Sequence, residues 1–194
     1  MEALKERIRR EGQNLGRGIL KVDSFMNHQV DPALMLAAGG AMAAHFGALG
    51  ITKVLTAEIS GIAPALTTAL ALGVPVVYAR KTRPITMPES AFTESAPSHT
   101  KGQEVKLMVS PEFLHSQDKV LIIDDFLATG ETIFALIRLA QQARAEVVGV
   151  GAVIEKSFEG GRAKLESMGL RVRSLAVIVK MTNEDIIFAE GTSP

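Results

Sequence analysis

Two adjacent carboxylates, Asp124 and Asp125, interrupt an otherwise apolar run in Val120–Thr132, VLIIDDFLATGET. The β-branched run before them predicts a buried strand, which leaves the acidic pair at its carboxyl end. Carboxylates buried there without partners are costly, so they serve better as acceptors for ligand hydroxyls or for a metal. Ala128, Thr129, Gly130, Glu131 and Thr132 follow. This turn offers backbone N–H groups, two hydroxyls and a helix N-terminus, the donor set that holds a phosphate. Gly130 is not followed by Lys-Ser/Thr, so the segment is no Walker A loop. A strand–turn–helix with Asp as a cap is the plainer alternative. The combination of apolar run, acidic pair and threonine-glycine turn is more specific than any of its parts.

Other chemistry-bearing residues also fall at predicted strand ends. In Glu58-Ile59-Ser60-Gly61-Ile62, the N–H groups of Ser60 and Gly61 suit a second anion, or simply close a turn. Arg80 and Lys81 end the run VPVVYARK, as cations near the same sheet edge or as a solvated pair. Lys156 ends a third strand, where an ammonium can face a ligand carbonyl, and Phe158 can stack on a ring or pack into the core. The four histidines have no metal-ligand spacing.

The elements that must position these residues follow from the pattern. An amphipathic helix spans residues 3–12 and ends at Gly12. Residues 13–30 read as irregular, anchored by Leu15, Ile19, Leu20, Val22 and Phe25. Asp31-Pro32 starts a helix, with Asp as N-cap and Pro in the first turn, that runs to about Leu49. Strands are expected at 51–56, 74–79, 120–123, 147–154, 171–179 and 185–189. Helices are expected at 63–72, 131–143 and 160–168. Residues 82–110, rich in Ser, Thr, Pro and Glu, read as a long loop with a short strand at 105–109, in the manner of a functional lid or a disordered insertion. Strands alternating with helices predict a single α/β domain over residues 1–194 with a mostly parallel sheet, and ligands bind such sheets beyond their carboxyl ends.

Composition excludes other classes. The chain has 194 residues, 47% of them apolar, with 21 basic and 21 acidic residues. That balance argues against a partner held through a phosphate backbone. The absence of cysteine excludes disulfides and thiolate metal sites and suits a reducing compartment. The charged first residues have no apolar stretch behind them, so no secretory signal is expected. Residues 33–51 and 61–78 carry no Asp, Glu, Lys or Arg, but Gly39-Gly40, Pro64 and Pro75 break them. They read as buried elements rather than membrane spans.

The acidic pair and its turn resemble the phosphoribosyl-pyrophosphate (PRPP) signature of the type I phosphoribosyltransferases. That resemblance implies a fold with a mobile lid loop at about 82–110 and a small hood built from the N-terminal region and the C-terminal strands. It implies that Asp124 and Asp125 hold the ribose hydroxyls, and that residues 128–132 wrap the 5′-phosphate. Ser60 and Gly61 would meet pyrophosphate, with Arg80 and Lys81 nearby. Magnesium would arrive with PRPP, positioned with it by Asp124 and Asp125, and the sequence singles out no direct protein ligand for it. Across nearly the whole chain, LKVDSFMNHQ, ISGIAPA, VPVVYARK, LIIDDFLATG and VIEKSF are similar to the bacterial branch of the family that uses xanthine. The base then falls to Leu20, Asn27 and Lys156, with Phe158 beside them. Ala128 departs from family members that carry an Asp facing the purine, so proton transfer by that residue is not carried over. The resemblance further implies a cytoplasmic enzyme of purine salvage, dimeric like its relatives, with no nucleic-acid or membrane partner. A PRPP-sensing regulator on the same fold, and preference for guanine or hypoxanthine, are the alternatives.

Overall fold

Apolar strands and glycine-punctuated helices alternate along the chain, and they fold as that alternation requires. The structure, a computed structural model, describes residues 1–97, 104–182 and 185–190. Helix α1 (Glu2–Glu11) is followed by a small antiparallel ladder of β1 (Gln13–Asn14) and β2 (Leu20–Lys21), then one π-helical turn at Asp23–Asn27. Next come α2 (Pro32–Phe46), β3 (Lys53–Ala57), α3 (Ile62–Leu72) and β4 (Val76–Ala79). Strands β5 (Phe92–Pro97) and β6 (Glu104–Val109) pair antiparallel. The chain continues through β7 (Lys119–Leu127), α4 (Glu131–Gln142), β8 (Glu146–Lys156), α5 (Gly161–Ser167), β9 (Val172–Met181) and β10 (Ile186–Phe188).

Six strands form the central sheet in the order β10-β9-β8-β7-β3-β4. All pairs are parallel except β10 with β9. Helices α1, α2 and α3 bury Leu4, Ile8, Met35, Met42 and Ala65 on one face. Helices α4 and α5 bury Ile133, Leu136, Leu139 and Leu165 on the other. Strand order reverses between β3 and β7: β3 leads outward to β4, and β7 leads the other way to β8. A crevice opens at such a switch point, beyond the carboxyl ends of the strands.

Local rules set the helix limits. The Asp31 carboxylate accepts the Leu34 N–H at 3.1 Å, with Pro32 in the first turn. Gly50 and Gly73 stop their segments in the left-handed conformation. Gly39 lets α2 and α3 touch, because a Cβ there would overlap the Thr67 backbone. The span Pro32–Leu49 is long and apolar enough to cross a membrane by composition alone. Its inner face, however, supplies Leu34, Met35, Ala38, Met42 and Phe46 to the core.

Three expectations change. Leu15 and Ile19 are 59% and 43% exposed, while Leu20, Val22, Phe25 and Met26 are buried. The two exposed residues flank a turn in which Gly16, Arg17 and Gly18 all have positive φ, and that turn stands off the core. Strand β7 does not stop at Ile123. Its ladder with β8 continues through Asp124↔Ala152 and Phe126↔Ile154 to Leu127↔Glu155, whereas its pairing with β3 ends at Leu55↔Ile122. Low strand propensity in the Asp pair was overridden by a long neighbour. Finally, residues 82–110 carry two paired strands rather than one short one. Their arms dock on α4, where Arg138 Nε meets Glu94 Oε2 at 2.7 Å and Gln142 Nε2 donates to the Thr93 carbonyl at 3.0 Å. Residues 98–103 of the expected lid lie outside the described residues.

Candidate active site

The crevice at the switch point is a cleft of about 570 Å³. Its floor is the end of β7. Asp124 and Asp125 line it, and each gives one oxygen to the next backbone N–H, Asp125 N and Phe126 N respectively, both at 3.0 Å. Burial and the neighbouring Asp125 charge push the Asp124 carboxyl well above its ordinary value, and Lys81 pulls it only partly back. Gly61 backs this carboxylate so closely that a Cβ would stand 2.8 Å from Asp124 Oδ1. Only glycine leaves the β3–α3 turn this near the acidic pair.

Ala128, Thr129, Gly130, Glu131 and Thr132 form one wall, at the N-terminus of the 12-residue helix α4. Gly130 caps that helix with φ +87°, a conformation that helps turn the chain from strand to helix in three residues. The Thr129 hydroxyl is buried and has no hydrogen-bond partner among the described residues. A buried donor left unpaired in a loop of this shape fits a ligand oxygen.

The opposite end is set by β8 and the N-terminal ladder. Lys156 is buried at the end of β8. Its ammonium lies 3.5 Å from Glu159 Oε1 and 5.4 Å from the Phe126 ring centroid. Leu20 and Asn27 line the same cleft. Thus Leu20, Asn27, Lys81, Asp124, Asp125, residues 128–132 and Lys156 meet in one space although they span most of the chain.

Three expected residues are not brought there. Arg80 turns out of the cleft: its Nε pairs with Glu58 Oε2 at 3.0 Å, and its guanidinium lies 5.8 Å from the Tyr78 ring centroid. The same Glu58 accepts the Lys81 backbone N–H at 2.5 Å, and only Lys81 lines the cleft. Phe158 is 48% exposed and does not line it. The aromatic group present is Phe126, which lies within the acidic motif itself. Ser60 is also outside the lining, whereas Gly61 bears on it through Asp124. Arg17, Gly18 and Ile19 also line the cleft and were missed, because a glycine-flanked arginine in an irregular stretch carries no specific signal.

The donor set also answers whether a metal fits. No group of three His, Cys, Asp or Glu among the described residues could cage an ion. Two carboxylates beside a phosphate-shaped loop suit a hard cation that shares its ligands with phosphate oxygens.

Comparison with known proteins agrees with this geometry. A family model described as the phosphoribosyl transferase domain matches residues 30–185. The chain is 51% identical over 190 residues to a xanthine phosphoribosyltransferase of Pseudomonas entomophila, covering 98% of this chain and 100% of that one. It is 48% identical over 190 residues to a xanthine phosphoribosyltransferase of Listeria monocytogenes, covering 98% and 99%. An adenine phosphoribosyltransferase of Rhodothermus marinus is similar in structure, with TM-score 0.72 and 26% identity over 92% of this chain and 100% of that chain.

Proposed function

The chain belongs to the phosphoribosyl transferase family, and on that premise we propose that it joins xanthine to the phosphoribosyl group of PRPP, yielding xanthosine 5′-monophosphate and pyrophosphate. The observation that carries this reading is the single cleft in which the acidic pair, the phosphate loop and the buried Lys156 converge.

The roles follow from the geometry. The 5′-phosphate sits on the backbone N–H groups of 128–132, with the α4 dipole behind it and the Thr129 hydroxyl donating. Asp124 and Asp125 accept from the ribose 2′ and 3′ hydroxyls, which fixes the face that C1 presents. Lys81 and the Gly61 turn meet the pyrophosphate. Magnesium bound with PRPP, held against Asp124 and Asp125, would supply charge neutralisation for the leaving group. At C1 the bond to pyrophosphate oxygen breaks and the bond to the base nitrogen forms, with positive charge on the sugar between. Asp124 and Asp125 lie where that charge develops, so orientation and electrostatics carry the rate. Lys156 donates to a xanthine carbonyl, which adenine replaces with a donor amino group. Leu20 and Phe126 supply apolar contact for the ring, and Asn27 a polar one. Ala128 can move no proton.

A base panel tests the reading. Incubated with PRPP and magnesium, the protein should release pyrophosphate fastest with xanthine. Fast consumption of adenine or orotate with xanthine left untouched would sink it.

The protein acts as a homodimer in this reading. Helix α2 is apolar on both faces, and Leu36, Leu66 and Leu70 on α2 and α3 are 53%, 58% and 70% exposed. Exposed apolar area of this kind is usually covered by a partner. A light-scattering mass equal to one chain would refute it. A cysteine-free chain of this function suits the cytoplasm.

A further inference from the structure

Glu155 and Arg162 form an ion pair that the chemistry above does not use. Glu155 precedes the base-facing Lys156 on β8, yet it is 1% exposed on the opposite face of the sheet, opposite Leu127 in the register. Arg162, on α5, meets it with a fork: Nε lies 2.9 and 3.0 Å from the two carboxylate oxygens, and Nη2 lies 2.6 Å from Oε2. The rest of the guanidinium reaches the Val172 carbonyl at 3.1 Å and Ser174 Oγ at 3.3 Å, both on β9, and Glu166 on its own helix. One arginine therefore locks α5 onto two strands.

The start of α5 touches the other end of the cleft. Gly161 N–H donates to the Ala128 carbonyl at 3.0 Å, and a Cβ on Gly161 would overlap that oxygen and stand 2.9 Å from the Thr129 carbonyl carbon. The base-facing ammonium and the guanidinium lie at the two ends of the seven-residue segment 156–162, and this short segment holds the phosphate loop by backbone contact. A buried ion pair contributes little net stability compared with apolar residues of the same volume. Its planar fork does fix an orientation, which apolar packing does not.

We propose that the Glu155–Arg162 pair, through Gly161, is a positioning brace that holds Lys156 and the phosphate loop at one fixed separation, so that base and PRPP are gripped together. The proposal rests on the cleft assignment above. Neither residue touches substrate; both act through Lys156 and Ala128.

The test separates positioning from folding. In the double variant Glu155→Met/Arg162→Met both charges leave together, so no buried charge is stranded. It is expected to melt within about 5 °C of wild type. It should nevertheless raise both the KM for the base and the Kd for PRPP by about tenfold to a hundredfold, with a smaller change in kcat. Arg162→Lys, which keeps the charge and loses the fork, should shift both constants in the same direction by about fivefold. Gly161→Ala should weaken PRPP more than the base. Assays use whichever base wild type consumes, and PRPP binding is read by calorimetry. Failure of the xanthine reading therefore leaves this test standing. The brace is overturned if the double variant or Arg162→Lys keeps wild-type values for both constants. It is also overturned if kcat alone falls, in step with the fraction unfolded.

Discussion

Asp124→Asn is expected to cost turnover about a hundredfold to a thousandfold while raising the melting temperature at neutral pH. The loss follows from the role of the carboxylate, because a charged acceptor at the ribose is replaced by a neutral one. The gain in stability follows from its surroundings. Asp124 is 6% exposed, lies beside Asp125, and has a carboxyl pushed well above its ordinary value of 3.8. Below about 3.8 the folded and unfolded states are both protonated, and the side chain carries no penalty. As pH rises from there through the elevated folded value, the unfolded state gives up its proton while the folded state resists, so stability falls. Above that value the loss is complete. Asparagine cannot ionise and still accepts the Asp125 N–H. Its advantage over wild type should therefore grow with pH and vanish in acid, by about 2–4 °C of melting temperature for each kcal/mol relieved. Thermal melts of both proteins across pH, without ligand, check this. A variant that melts below wild type at pH 8 would show that the acidic pair is not strained in the free protein. With Asp124→Ala and Asp125→Ala combined, turnover should be undetectable, and retained turnover would remove both residues from the ribose.

Lys156→Met should collapse the choice of base while leaving the sugar end intact. Methionine has nearly the length of lysine and fills its place against the Phe126 ring, so packing is kept. What is lost is an ammonium held 3.5 Å from Glu159 and largely shielded from water. A hydrogen bond from a buried charge contributes about 1.5–3 kcal/mol, so kcat/KM for xanthine should fall by about ten- to hundredfold. The ratio of xanthine to adenine should fall by a similar factor, because adenine never gained that bond. The KM for PRPP should stay within about twofold, since that binding is uniform and made elsewhere. Steady-state kinetics on both bases measure this. Xanthine turnover within threefold of wild type would show that another residue reads the carbonyl.

Much of this protein was legible along the chain because its signals are local. Asp31-Pro32 starts a helix and Gly73 stops one through contacts within four residues, and both stand as the sequence implies. The acidic pair and its turn are likewise contiguous: one strand end, one helix start, one phosphate-shaped loop. The reaction class could therefore be read from thirteen residues, and the base from a resemblance spread over most of the chain.

The choice between neighbouring side chains was decided only by the tertiary structure. Arg80 and Lys81 are equivalent by spacing, yet Glu58, 22 residues before Arg80, draws the arginine out and leaves the lysine in the cleft. Phe158 and Phe126 are equal candidates as aromatics. The strand ladder with β8 carries Phe126 under the Lys156 ammonium, while Phe158 stays exposed. The Glu155–Arg162 brace leaves no mark in sequence pattern, because a buried charge and a solvated one are the same letter. Its meaning comes from β9, which Arg162 also reaches, and from the phosphate loop that the neighbouring Gly161 touches, and such long-range packing has no period along the chain to betray it.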